Sequence, residues 1–378
     1  MIVRHFLQWV RTAPAAERAD ATGALARAYL YSDLSPDDRL AAEGAMVMSL
    51  DDPSPLVRRA IAENLAASPQ APPAVILALA ADQPEIAGLV LERSPLLLDA
   101  DLVELVAVGE EATQAAIARR EGLPRSVAAA IAEVGSAEAC LVLVENPAAE
   151  IAPFSLARIG ERFSELAMMR EALFAREDLP AASRQALMMQ LSQTLVRFVA
   201  GRGWLDEARA RRIAREACEK ATIAVAAASP ARELAPLVRH LRQSGQLNAG
   251  LMLRILLCGN MALFEQALAE LSGLPVARIA SLLRDRRGAG ARALCERAGL
   301  PESTLPAFAA AIEALHAYGF LSPGGGPARL KRHMVERVLA RYADAATGID
   351  PILFLLRRLA TEAARDEARL FCQELAAA

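Results

Sequence analysis

Aromatic residues are scarce in this chain, 16 of 378 or 4%, while Ala and Leu dominate a hydrophobic content of 54%. Sheets draw on β-branched and aromatic side chains, whereas closely packed helices use small and γ-branched ones. The shortage excludes a sheet-rich protein and points to an all-α one. It also argues against a base-stacking channel for single-stranded nucleic acid. Long apolar runs are missing too: Ala221 to Ala228 and Ile352 to Leu356 fall far short of the roughly 20 residues that cross a bilayer. The start, Met1-Ile2-Val3-Arg4-His5-Phe6, offers no sustained apolar segment and no small-residue cleavage site, so a cytoplasmic address without membrane association is expected. Five cysteines (Cys140, Cys218, Cys258, Cys295, Cys372) are odd in number and far apart, which excludes a disulfide framework and a CxxC metal site and suggests buried thiols.

Chemistry-bearing patterns are equally thin. His5, His240, His316 and His333 are never paired at i, i+4. Glu313 with His316, and His333 with Glu336, are single i, i+3 pairs where a metal site needs three or four ligands. No GxSxG, P-loop or dinucleotide fingerprint occurs. Arg286-Arg287-Gly288-Ala289-Gly290-Ala291-Arg292 lacks the strand-then-helix setting and the Lys of a phosphate loop, and reads as a helix-to-helix turn. The carboxylate pairs Asp37-Asp38 and Glu110-Glu111 sit at helix starts, where the macrodipole accounts for them. No catalytic residue, cofactor or metal is expected, and the chain reads as a non-enzyme.

What is present is a cadence. Helix-like apolar segments end at Glu63-Asn64, Glu92-Arg93, Arg119-Arg120, Glu145-Asn146 and Ala175-Arg176, with the second members 29, 27, 26 and 30 residues apart. That is the length of two short antiparallel helices plus turns, a unit that must stack on its neighbours to bury its apolar face. The first half is therefore expected to be an α-solenoid. Its helix starts are explicit. Ser35-Pro36-Asp37-Asp38 supplies a cap, a proline for the first helical position and acids for the dipole, and comparable openings recur at Asp82-Gln83-Pro84-Glu85, Ser94-Pro95, Gly135-Ser136 and Asn146-Pro147. In the segment opening at Asp51, Val57, Ala60, Ile61 and Leu65 form one helical stripe, and Asp52 is placed to pair with Arg58 or Arg59.

Near Gly201-Arg202-Gly203-Trp204 the pattern changes. Asp206 to Ala228 reads as one long helix, followed by short helices between glycine stops at Gly245, Gly259, Gly273, Gly288 to Gly290 and Gly299. A Gly/Pro break at Ser322 to Pro327 precedes a basic helix, Ala328 to Tyr342, and an amphipathic helix opening at Asp350-Pro351. The expected divisions are an N-terminal helical segment (1–50), a repeat array (51–200), degenerate repeats or a helical bundle (201–320), and C-terminal helices (328–378). The last helix is expected to cap the array within its own chain, with a two-chain contact as the alternative.

Asp52, Val57 and Arg58 resemble a HEAT-type repeat, with its Asp near the turn and Val-Arg on the second helix; the next unit has Ala87-Gly88 instead. Ala116 to Arg120, Asn146 to Ile151 and Leu253 to Pro301 resemble a bacterial family of unknown function with HEAT-like helical repeats, over roughly residues 50 to 305. The resemblance implies a fold and no activity.

Charge is uneven. Residues 1–200 carry 17 Arg against 27 acids, and residues 201–378 carry 25 Arg and Lys against 18 acids, so the second half suits an anionic partner or attracts the first half. Lys220 and Lys331 are the only lysines among 42 basic residues, which fits a biased base composition, with selective use of Arg for phosphate as the alternative. The candidate anion-binding residues are Arg209, Arg211, Arg212 and Arg215 on one helical face, which Glu207, Glu216 and Glu219 can screen, together with Arg284, Arg286 and Arg287. Arg292 extends the second cluster, and Arg329, Lys331, Arg332, Arg337 and Arg341 form a third. The leading expectation is a scaffold that binds a protein partner on the solenoid's concave surface. The alternatives are a nucleic-acid or nucleotide sensor using the basic half and, last, a helical-repeat DNA glycosylase. Homo-oligomerisation stays open.

Overall fold

A computed structural model describes residues 6, 8–10, 12–285, 288–318, 326–343 and 351–377. Among them there is no strand, and the fold is all-α and repeat-like, as the residue usage predicts. The chain divides into two compact units, residues 1–179 and 180–378. The pattern change at Gly201 to Trp204 falls inside the second unit, at the turn between its first two helices.

The first unit contains α1 (Ala15–Tyr31), α2 (Pro36–Ser49), α3 (Pro55–Leu65), α4 (Pro73–Ala80), α5 (Pro84–Arg93), α6 (Asp99–Val108), α7 (Glu111–Ala118), α8 (Arg125–Val134), α9 (Ala137–Glu145), α10 (Pro153–Phe163) and α11 (Ala167–Ala175). Helices two apart in sequence lie side by side: α1, α3, α5, α7, α9 and α11 make one layer, and α2 with α4, and α6 with α8 and α10, line a second. Successive helices cross from layer to layer. Two start signals act as written: the Ser35 hydroxyl accepts from the Asp38 N–H, and Ser136 caps α9 from the Ala139 N–H at 3.1 Å, whereas Ser94-Pro95 and Asn146-Pro147, expected to open helices, are turns, and α6 and α10 begin at Asp99 and Pro153. Val57, Ile61 and Leu65 are fully buried on α3, joined by Ala62, while Ala60 is half-buried.

The cadence has a structural cause. A helix leaves its last carbonyls without intrahelical donors, and here a side chain just past the end of α7, α9 and α11 supplies them to the first-layer helix before. Arg120, beyond α7, donates to the Leu91 carbonyl and, at 2.6 Å, to the Ser94 carbonyl at the end of α5. Asn146, beyond α9, donates to Ala118 and Arg120 at 2.8 and 2.9 Å. Arg176, beyond α11, donates to Val144 and Asn146 at 3.0 and 3.4 Å. Arg162 on α10 treats Ala132 and Gly135 of α8 in the same way, both at 2.7 Å. Three of the five punctuation residues are thus rungs of one ladder.

The expected pairing of Asp52 with Arg58 or Arg59 is corrected. Asp52 accepts a two-pronged contact from Arg18 of α1, both prongs 2.8 Å, because α1 lies beside α3. Arg58 grips Asp82 at 2.6 and 3.1 Å and gives its remaining nitrogen to the Asp52 carbonyl, while Arg59 pairs with Glu63 at 2.8 Å. Each planar guanidinium so joins its own helix to the next turn.

The second unit contains α12 (Ala181–Gly201), α13 (Glu207–Ala228), α14 (Ala231–Gln243), α15 (Ala249–Leu257), α16 (Met261–Ser272), α17 (Val276–Arg284), α18 (Ala289–Arg297), α19 (Leu305–Tyr318), α20 (Gly326–Ala343) and α21 (Pro351–Ala377). Its centre is α15, buried at every residue from Leu251 to Leu257, with α16, α19, α20 and α21 around it. Gly273 and Gly299 end helices at φ 71° and 74°, a left-handed turn that glycine adopts without a Cβ clash. The terminal helix α21 closes on α20 and α15 through Leu356, Leu359 and Ala363, whereas Leu370, Phe371 and Leu375 stay exposed. Asp350, its expected cap, lies outside the described residues.

Candidate interaction surface

Helices α12 and α13 form an antiparallel hairpin, and from Met188 to Arg215 the only buried residue is Ala210. Asp206 starts α13 by accepting from the Ala208 and Arg209 N–H groups at 3.2 and 3.0 Å. Arg209, Arg211, Arg212 and Arg215 are all exposed, as expected. Their expected screening is only partly realised. Glu207 pairs with Arg211, but Glu216 turns to Arg358 and Glu219 lies 3.2 Å from Arg254. Tertiary partners therefore outcompete the i, i+4 pairs. Arg209, Arg212 and Arg215 have no carboxylate within ion-pair distance among the described residues.

The turn brings a feature the sequence reading missed. Gly203, at φ 68°, donates to the Ala200 carbonyl at 2.9 Å, and the Trp204 N–H reaches the Val199 carbonyl at 3.2 Å, a Schellman closure of α12. This closure sets Trp204 edge-on to Phe198, ring centroids 5.7 Å apart, with the Arg202 guanidinium 5.1 Å from the Phe198 ring. Trp204 is nevertheless 64% exposed, and Leu195, one helical step from Phe198, is 53% exposed. The available signal was an apolar segment, Leu191 to Val199, with no acid from Ala181 to Leu205 and apolar residues on more than one face.

An ionic cluster seats the base of this hairpin. Arg254, 1% exposed on α15, donates to Glu362 of α21 at 2.6 Å; its Nε is 3.2 Å from Glu219 but is not aligned for a hydrogen bond. Both lysines of the chain join it. Lys331 of α20 bonds Glu362 and Asp366, each at 3.2 Å, and Lys220 of α13 bonds Asp366 at 3.0 Å. Burial pushes the Glu362 and Asp366 carboxyls up, but Arg254 with Lys331, and Lys220 with Lys331, hold them below the usual carboxylate range. At Glu219 burial wins over Arg254, and its pKa is raised. The cluster sets three cations against three carboxylates, with the Arg254 Nε left without a hydrogen bond, and ties α13, α15, α20 and α21 together.

Arg284 is exposed at the rim of a cleft of about 220 Å³ lined by Met261, Glu265, Leu283, Ile312 and His316. A second cleft of about 310 Å³, with Arg292, Cys295 and Phe308, lies on the other side of His316. The His316 Nε2–H donates to the Leu283 carbonyl at 2.7 Å. Glu313 pairs with Arg341 and Glu336 with Arg332, so neither i, i+3 pair is a metal half-site, and no group of three or more metal-binding side chains occurs among the described residues. Arg286 and Arg287 lie outside the described residues. Arg284 belongs to α17, which packs on α16 and α18, and α13 packs principally on α12; no described contact joins Arg284 to the α13 row. In the third basic cluster Lys331, Arg332 and Arg341 are consumed by ion pairs.

The thiols complete the inventory. Cys140, Cys218 and Cys295 are buried as expected, and burial pushes Cys140 and Cys295 up to about 11, away from nucleophilic use. Cys258 is only half-buried and Cys372 is exposed on the bare end of α21, against expectation.

These features define an all-α protein whose two units present a capped helical stack and an arginine-bearing hairpin. Residues 86–348 match the family described as uncharacterised protein conserved in bacteria (DUF2336), and the chain belongs to that family. No curated protein and no solved structure matches the chain.

Proposed function

We propose that this chain is a non-enzymatic, HEAT-like scaffold that binds a protein partner along the second layer of its first unit. The observation that supports it is a row of exposed apolar side chains: Leu40 on α2, Leu77 on α4, Val108 on α6, Val134 on α8 and Phe154 on α10. Helices α5, α7 and α9 of the other layer carry no exposed large apolar residue. Across the middle of the unit, α4 to α9, the exposed large apolar side chains of the helices thus fall on the second layer alone, a one-sided patch of the kind a partner's helix or extended segment uses, while Tyr31, Leu56 and Met168 are exposed on α1, α3 and α11 of the first layer. A photocrosslinking residue at Leu77 or Val134 should then yield discrete adducts in an extract of the native bacterium, while one at the exposed Glu111 or Glu138 should not. Equal labelling at all four positions, or none, sinks the reading.

A second reading, anion binding by the basic half, is favoured by Arg209, Arg212 and Arg215 standing without carboxylate partners. Phosphate contacts weaken steeply with salt. Binding of a single-stranded oligonucleotide that does not weaken as salt rises, or no binding at low salt, removes it.

A further inference from the structure

We infer that the turn of the α12–α13 hairpin docks on an anionic lipid surface, with Trp204, Phe198 and Leu195 entering the headgroup boundary and the neighbouring arginines meeting lipid phosphates. This inference rests on the anion-binding reading and names the anion.

The hairpin is apolar where nothing covers it. Leu195, Phe198 and Trp204 lie together and exposed at its end, and the Schellman closure at Gly203 fixes the backbone that carries Trp204. Around the strip basic side chains predominate. Arg197, Arg202, Arg209 and Arg212 lie within about two turns of it, Asp206 is used as a helix cap, and Glu207 is held by Arg211. An apolar tip with an indole, ringed by arginine, suits an interface where the tip meets acyl boundary and the ring meets phosphate. Attachment to a surface needs no crossing helix, and none of the described helices is long and apolar enough to cross.

Other occupants fit the same residues less well. A single strand of nucleic acid wants open ring faces along a basic groove; here Arg202 covers Phe198, Trp204 sets its edge against that ring, and Leu195 offers no stacking face. A second copy docked tip to tip would bring mostly arginine against arginine, with Asp206, engaged as a helix cap, the one acid between Ala181 and Arg215 outside an ion pair.

The test uses the full chain and sedimentation with vesicles of phosphatidylglycerol and phosphatidylcholine in equal parts, against phosphatidylcholine alone. With Trp9→Phe leaving Trp204 as the only indole, emission should shift to the blue on the anionic vesicles only. Trp204→Ala with Phe198→Ala should lower the partition coefficient about tenfold, and Arg209→Gln with Arg212→Gln about 25-fold, at roughly fivefold for each surface arginine. Unchanged melting confirms that these exposed substitutions leave the fold intact. No binding to the anionic vesicles at low salt overturns the inference, as does binding that survives the aromatic substitutions. Oligonucleotide binding without vesicle binding overturns it while leaving the anion reading standing, and absence of both removes both. A concentration-dependent dimer abolished by Trp204→Ala assigns the strip to self-association and also overturns it.

Discussion

Arg120 reaches back 26 residues to place its Nη2 2.6 Å from the carbonyl of Ser94, with Nη1 on the carbonyl of Leu91. The guanidinium is half-buried, which pulls its pKa down, yet it faces no carboxylate at ion-pair distance; its partners are the carbonyls at the end of α5 that lack intrahelical donors. Removing it takes the charged donor from those part-buried carbonyls. Arg120→Met should therefore lower unfolding free energy in urea by about 2 to 3 kcal/mol, the scale of a hydrogen bond from a charged donor, with Arg120→Lys intermediate. A loss below about 0.5 kcal/mol would mean that water replaces the ladder.

How much of this was legible is best seen in the ladder itself. Asn64, Arg93, Arg120, Asn146 and Arg176 stand out as punctuation because a helix end needs a polar residue; Asn64 turns back to the Ala60 carbonyl and Arg93 to Glu92, whereas the helix that Arg120, Asn146 and Arg176 serve lies a repeat away, and spacing along the chain cannot name it. Caps were legible because their chemistry is local, as at Ser35 and Ser136. Pairings were not. Asp52 has Arg58 and Arg59 within two turns and still pairs with Arg18, 34 residues back, because stacking sets the distance. Likewise Arg254 sits in an apolar run, and its Glu362 partner is 108 residues away. The arginine row of α13 was legible as a surface, while the inward turn of Glu216 and Glu219, which leaves it only partly screened, depends on α15 and α21.

Acid should loosen both units, and the sign follows from the carboxylates. Asp52, held down first by Arg18, Asp178, held down by Arg176, and Glu362 and Asp366 all titrate below their ordinary range when folded. A depressed folded pKa contributes stability that is complete above the unfolded value of about 4 and is lost as pH falls through the folded one. Glu219, raised by burial, works in the opposite direction and gains from protonation. Melting temperature should be flat near neutrality and fall below about pH 4, and Asp366→Asn should make that fall shallower. A steeper fall in Asp366→Asn would contradict the assignment.

Arg254 is the position where one substitution does most harm. It is 1% exposed and answers Glu219 and Glu362, so Arg254→Leu leaves two carboxylates facing an apolar helix core. Breaking a buried pair from one side costs about 3 to 5 kcal/mol. Adding Glu219→Gln and Glu362→Gln should recover part of that loss, since no buried charge is then left unpaired. Denaturant titration of the single and triple variants decides it: a triple variant weaker than the single one by more than the sum of separate Gln effects would show that the carboxylates are needed for themselves.

The terminal helix α21 separates into two halves with different fates. Leu356, Leu359 and Ala363 are buried against the unit, and Glu362 and Asp366 complete the pairs of Arg254, Lys331 and Lys220. Beyond Ala368 the exposed Leu370, Phe371 and Leu375 make no such closure. A chain ending after Ala343 should lose solubility and melt lower, because it uncovers α15 and α20 and leaves a buried guanidinium short of a carboxylate. Ending after Ala368 should leave melting within a degree or two, since surface truncation costs little. If both truncations melt like the full chain, α21 is not the closure of this unit; if only the longer truncated form turns from dimer to monomer, the bare end is an association surface and the closing half is still in place.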